Sequence, residues 1–377
     1  MAILNPSTDK MGDSVRQHLC LAMVAGVGPL MQRRLLEHFG RPEKVLRASP
    51  SELQSVQGVG PKLASAIARA STDIDVDRQL QMARDNRIDI LLESNDKYPP
   101  LLSEIPDPPA VLFTRGLLQS VDRLAVAIVG ARHASQYGLQ QASRFATSLA
   151  HAGITVVSGM ARGIDTAAHR AALAAGGRTI AVLASGVLRP YPPENHSLAE
   201  QIAAQGSVVS EAAPTAPPLG GMFPQRNRLI SGLTLGTIVV EASQRSGALI
   251  TARLAWEQNR EVFAVPGPVD SRLSTGPHQL IRDGAKLVSS IDDVLEELGP
   301  LAHAVQREDG STVRAPAELA LNEVENQVLQ AVESQGSLID EVTQTTGLPV
   351  HRVLSTVSVL EMRNLVRRVG GNRIARV

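Results

Sequence analysis

At 377 residues the chain is long enough for two or three domains and a sizeable core. Lysine and arginine number 37, and so do aspartate and glutamate, so the zero net charge excludes a globally basic nucleic-acid binder and leaves only local basic surface. The single cysteine, Cys20, excludes an internal disulfide, and apolar runs such as residues 124–129 fall far short of the ~20 residues of a membrane span. Cys20 lies among Leu19, Leu21 and Met23 on a helical run, which predicts a buried structural thiol. No apolar signal core follows basic residues at the N-terminus, so a soluble, cytoplasmic protein is expected.

Residues 1–80 read as a helical domain in which two segments echo each other. They are Val24-Ala25-Gly26-Val27-Gly28-Pro29 and Val56-Gln57-Gly58-Val59-Gly60-Pro61. Each precedes a helical pattern, and together they resemble paired helix-hairpin-helix (SAM-like) motifs. Glycines in such hairpins let backbone N–H groups reach a DNA phosphate, with Lys62, Arg33 and Arg34 as the nearest cations. The same turns serve equally as packing hairpins. A strand at 88–92 follows, then a proline-rich connector, Tyr98-Pro99-Pro100 and Pro106-Asp107-Pro108-Pro109, that reads as an ordered extended wrapper.

The domain expected over residues 85–295 alternates strand and helix. Strands are expected at 124–129, 154–157, 179–183, 208–210, 237–241 and 262–265, with a further strand after Gly284-Ala285. Continuous Val/Ile/Ala/Leu runs fit a doubly wound, mostly parallel α/β sheet buried on both faces. Ligands of such sheets bind at the carboxyl ends of strands. Gly130-Ala131-Arg132 ends the first of these strands, with His133 and Ser135 as further hydrogen-bonding groups. Ser158-Gly159-Met160-Ala161-Arg162-Gly163 ends the second. Asp165 and His169, four apart on one helix face, lack a third metal ligand and read as an N-cap and a satisfied helical histidine. Ser246-Gly247 opens a later helix with small residues. The segment Phe223-Pro224-Gln225-Arg226-Asn227-Arg228 sets two arginines and an asparagine at a helix start, where backbone amides favour anions and guanidinium forks bind phosphate. Dinucleotide and Walker A spacings are absent, as is a catalytic triad. One Trp, three Tyr and five Phe exclude an extensive stacking platform, leaving single stacks on Phe223, Tyr191 or Tyr137.

A linker is expected over 296–318. Residues 319–377 then read as three helices and a β-hairpin, a winged-helix outline. Residues 321–350 carry five acids and no Lys or Arg, while 351–377 carry six Arg against Glu361; that asymmetry fits a solvated face or a nucleic-acid or partner contact.

Jointly, Gly130-Ala131-Arg132, Ser158-Gly159 with Gly163-Ile164-Asp165, Tyr191-Pro192 with Asn195, Phe223-Pro224 with Arg226-Asn227-Arg228, and Ser246-Gly247 resemble the DNA-processing protein A (DprA/Smf) family. The likeness runs from about Tyr98 to Ala285 and extends to the helical N-terminal and winged-helix C-terminal domains. It implies a Rossmann-like, non-enzymatic mediator of recombination, without cofactor or metal. Such a protein binds and protects incoming single-stranded DNA during natural transformation, helps load RecA, and dimerises through the Rossmann-like domain. It further implies DNA contacts from Arg132, Arg226, Asn227, Arg228, Ser158, Gly159, Gly163 and Phe223, with Gly130, Lys62, Ser246 and Gly247 as secondary contacts. The family often has a basic residue within Tyr-Pro-x-x-Asn; here Pro193 and Glu194 stand there, so no phosphate contact is carried over to that loop. Two rivals are a Rossmann-like nucleotide-hydrolysing enzyme, whose Pro-Gly-Gly loop is missing at 241–247, and a regulator reading duplex DNA through the winged helix.

Overall fold

A computed structural model describes residues 6–299, 305–306, 312–370 and 372–377. At the N-terminus the echoing segments form equivalent hairpins. Gly26 and Gly58 take φ of 96° and 94°, which only glycine adopts without strain, and Gly28 and Gly60 cap helices Pro29–Phe39 and Pro61–Ala68. Proline opens both helices, where its missing N–H costs nothing. A Cβ on Gly26 would lie 3.3 Å from Leu63, and one on Gly58 3.0 Å from Met31, so each hairpin packs against the helix of the other. Cys20 is buried in the same core, as expected.

Nine strands form the central sheet: β1 (Ile88–Leu92), β2 (Val111–Gly116), β3 (Ala125–Val129), β4 (Thr155–Ser158), β5 (Thr179–Leu183), β6 (Ser207–Ser210), β7 (Gly236–Val239), β8 (Glu261–Ala264) and β9 (Lys286–Leu287). Their order is β1-β2-β6-β5-β4-β3-β7-β8-β9. From β6 to β9 the neighbours are parallel; β2 pairs antiparallel with both β6 and β1. Side-chain alternation divides β3 between two helical layers. Ala125, Ala127 and Val129 share a core with Leu229, Ile230, Ala248 and Ala252, from helices Met222–Gly232 and Gly247–Glu257. Val126 and Ile128 share another with Phe145, Leu149, Ile164 and Ala168, from helices Gln136–His151 and Ile164–Ala174. The chain winds outward from β3 to β6, then returns to β7 on the far side of β3. The connections leaving β3 and β7 therefore diverge, and a crevice opens at their carboxyl ends.

Three features differ from expectation or add to it. β2 was not expected, because its short apolar run follows Pro108-Pro109 directly. The proline-rich wrapper is ordered, with the buried Tyr98 donating its hydroxyl to the Pro109 carbonyl at 2.8 Å, but it includes a helical turn, Pro100–Ser103. Within the stretch expected as a linker, Val305–Gln306 pairs antiparallel with Thr312–Val313, and both valines are buried with Leu124.

Helices Glu323–Gln330, Ile339–Thr346 and Val350–Met362 and hairpin strands Val366–Gly370 and Arg373–Arg376 complete the winged-helix domain. Ser337–Leu338 adds a third strand beside Arg373 and Ile374. Part of the domain's charge asymmetry is met internally: Arg368 pairs with Glu361 at 3.0 Å and Arg376 with Glu318 at 2.6 Å. Among the described residues no helix is long and apolar enough to cross a membrane.

Candidate nucleic-acid interface

The crevice between β3 and β7 encloses about 430 Å³ and is lined by Arg132, His133, Phe223 and Arg245 and by the start of the helix Gly247–Glu257. Arg132 stands exposed on the loop after β3, its guanidinium 5.4 Å from the centre of the Phe223 ring. That distance is within cation–π range and presents the charge toward the crevice. Phe223 in turn meets the half-exposed Tyr191 edge-to-face at 5.7 Å, so a second aromatic ring stands behind the rim formed by Arg132 and Phe223. Across the crevice Ser246 caps its helix by accepting the Ala248 N–H at 3.3 Å, and Gly247 is exposed with open space around its Cα. The helix N-terminus therefore faces the same cavity with a fixed positive potential.

The other arginines expected to grip phosphate are placed differently. Arg226 is 7% exposed and lies beneath Gly159, where it donates to the Gly159 carbonyl at 2.8 Å and to the Val182 carbonyl. A Cβ on Gly159 would come within 2.7 Å of this guanidinium, so glycine is needed there for close packing. Burial pulls the Arg226 pKa down to about 10, with Asp165 opposing that fall. Its Nε is buried and has no protein partner, while other parts of the residue line the crevice. Arg228, 6% exposed, points away: it pairs with Asp107 at 2.9 Å and Glu211 at 2.8 Å, and does not line the crevice. The reason is helical geometry, since residues two apart face opposite sides. Where DNA contacts are expected from both arginines, each guanidinium is buried and engaged by protein groups, Arg226 at the edge of the crevice and Arg228 away from it. Asn227 lies in the middle of Met222–Gly232 rather than at the expected helix start; it is mostly buried but lines the crevice, and its amide donates to the Gly247 carbonyl at 3.2 Å, tying that helix to the start of Gly247–Glu257.

Ser158, Gly159 and Gly163 fix the loop after β4 rather than line the crevice. Ser158 is fully buried and donates to the Ile128 carbonyl at 2.6 Å. Gly163 has φ of 76°, and a Cβ there would lie 2.2 Å from the Ala131 carbonyl oxygen, so the loop after β4 nests against the loop carrying Arg132. Between these glycines Met160 holds a φ of 57°, a left-handed conformation unusual for a side chain of this size. Gly130 fits against Ile164 and the Glu241 backbone in the same way, and lines the crevice. Lys62 is exposed at the start of its helix and does not line the crevice. Replacing Gly163 by alanine should strain the backbone and displace the Arg132 loop, lowering stability by about 1–3 kcal/mol and weakening oligonucleotide binding with it. A thermal melt and an anisotropy titration check this; wild-type behaviour in both would contradict it.

Asp165 is not the N-cap. Gly163 occupies that position, and Asp165 sits in the first turn, its carboxylate accepting the Ala161 N–H at 3.2 Å. Burial pushes its pKa up to about 6, against the pull of Arg226. His169 shares a 2.7 Å hydrogen bond with Thr179, and burial drives its pKa down to about 3. The N-cap expected at Asp165 is not formed, and the buried Nε2 of His169 is left without a hydrogen-bond partner among the described residues. Among the described residues no group of three or more His, Cys, Asp or Glu is placed to hold a metal. In the Tyr191–Asn195 loop Glu194 pairs with Arg162, and the Asn195 amide donates to the Met160 carbonyl at 3.0 Å. Sequence reasoning missed Arg245, although it stands after β7 in a position analogous to that of Arg132 after β3.

Fold and site together define a doubly wound α/β protein with a crevice rimmed by arginine and aromatic side chains at its topological switch point. The family model described as DNA recombination-mediator protein A matches residues 89–299; a SAM-like helix-hairpin-helix tandem matches 20–72, and a DprA winged-helix domain matches 312–372. The chain belongs to the DNA recombination-mediator protein A (DprA/Smf) family. It is 33% identical to Protein Smf of Synechocystis, over 95% of this chain and 98% of that one. It is 40% identical to Protein Smf of Escherichia coli, over 74% of each. The X-ray structure of DNA processing protein A from Streptococcus pneumoniae superposes with a TM-score of 0.66 and 36% identity, covering 75% of this chain and 97% of that one. A Helicobacter pylori DNA processing protein A, whose structure concerns its single-stranded DNA binding mode, gives 0.51 and 31%, covering 56% and 95%.

Proposed function

We propose that this recombination mediator binds single-stranded DNA along the crevice between β3 and β7 and leaves its covalent structure unchanged. The observation that carries the reading is the exposed Arg132 guanidinium over Phe223 at the switch point. Arg132 and Arg245 hold phosphates, the amides at the start of Gly247–Glu257 add donors, and bases stack on Phe223 and Tyr191. Arg226, Asn227, Arg228, Ser158, Gly159 and Gly163 set the shape of the rim. Membership of the family and the single-stranded DNA mode of the Helicobacter pylori relative support this reading. On the same family ground the protein acts in the cytoplasm as a homodimer through its Rossmann-like domain, protecting incoming strands and helping to load RecA during natural transformation.

A gel shift with matched single- and double-stranded oligonucleotides across a salt series tests this. Retention of the single strand at salt concentrations that release the duplex is expected; equal release of both would defeat the reading. Free base appearing on incubation with nucleoside monophosphates would overturn the non-enzymatic assignment.

A further inference from the structure

Glu241 lies just beyond β7 and is 3% exposed. One carboxylate oxygen accepts the Ser135 backbone N–H at 2.9 Å, and the other accepts the Ser135 hydroxyl at 2.5 Å. Ser135 is the N-cap of the 16-residue helix Gln136–His151 that follows β3, and its hydroxyl oxygen accepts the Gly138 N–H at 3.1 Å. No lysine or arginine ion pair to Glu241 occurs among the described residues, so a buried charge is held by helix-terminal donors and the helix dipole. Gly138 makes the room: a Cβ there would lie 2.3 Å from the carboxylate. Alanine would favour the helix by about 1 kcal/mol, so glycine in this turn sacrifices helix propensity for that space.

The helix start after the first strand beside the crossover is where doubly wound folds seat a nucleotide phosphate. We propose that Glu241 occupies that position as a built-in anion. It excludes free nucleotide phosphates from the inner helix terminus, and it fastens the loop carrying Arg132 to the end of β7. The ligand phosphate is thereby confined to the outer rim formed by Arg132 and the helix Gly247–Glu257. Glu241 is thus a positioning and specificity-determining residue that touches no ligand. The fastening half rests on the single-stranded DNA reading; the anion half does not.

The test compares melting of the full chain in chloride and in millimolar inorganic phosphate at matched ionic strength, for wild type, Glu241→Ala and Glu241→Gln. Arg132→Ala serves as the control for phosphate at the outer rim. Glu241→Ala is expected to melt lower in chloride and to recover by about 3 °C or more in phosphate, beyond any wild-type response. Glu241→Gln still fills the space and should show no such recovery. If Glu241→Ala is unfolded in chloride, folded protein regained in phosphate supports the proposal equally. Equal destabilisation in both salts, no regain of fold, or a phosphate response in Glu241→Gln as large as in Glu241→Ala would overturn it. Failure of the DNA reading would appear separately, as absent oligo-dT binding by the wild type.

Discussion

Replacing Arg228 by alanine is expected to lower the melting temperature sharply while leaving the salt dependence of oligonucleotide binding unchanged. The side chain holds Asp107 and Glu211 together beside the middle of Met222–Gly232. Burial already raises the Glu211 carboxyl above its ordinary range, with Arg228 opposing. Removing the cation strands two carboxylates, an injury of about 3–5 kcal/mol at a fully buried pair. Both carboxylates keep roughly a third of their side-chain exposure, which reduces the expected loss to about 2–3 kcal/mol. For a domain of this size the melting temperature should fall by about 5–10 °C. A melt within a degree of wild type, or a flatter salt slope for the variant, would return Arg228 to the role of phosphate ligand.

Arg226→Ala should be more severe, and its cost should depend on pH. The wild-type side chain satisfies two buried carbonyls and faces the buried Asp165. Asp165 has a folded pKa above its unfolded one, so its favourable contribution is complete below the ordinary carboxylate range and is lost as pH rises through about 6. Without Arg226 the folded pKa rises further, and that decline extends toward neutrality. The mutation should therefore cost least near pH 5 and most above pH 7, where a total of about 3–5 kcal/mol is expected. Parallel melts of both proteins across this range provide the check. A penalty that is constant with pH would show that Arg226 and Asp165 do not act together.

The contrast between these arginines and Arg132 marks where sequence reading stops. The doubly wound sheet was legible because β3, β5 and their neighbours are continuous apolar runs, and turn glycines placed the strand ends closely. The paired hairpins were legible from the repeated glycine spacing, and so was the three-helix and hairpin outline of the C-terminal domain. Side-chain direction was not. Whether an arginine within this helix faces the crevice or the interior depends on which carboxylates the fold brings beneath it. Asp107 and Glu211 are distant in sequence from one another and lie on separate connections. The clamp of Glu241 on Ser135 joins residues 106 apart, and local spacing carries no trace of it. β2 was hidden for a local reason: the prolines before it mask a short strand whose partners, β1 and β6, are recognised only once the sheet is assembled.

The central claim is that an exposed guanidinium at the switch point holds the DNA backbone. Fluorescence anisotropy of labelled oligo-dT, titrated with wild type and Arg132→Ala across a salt series, tests it most directly. Because Arg132 is exposed, the variant should melt as the wild type does. It should bind about tenfold more weakly, with a salt slope smaller in magnitude by about 0.7, the increment for one phosphate contact to a single strand. Unchanged affinity and slope in a fully folded Arg132→Ala protein would contradict the account.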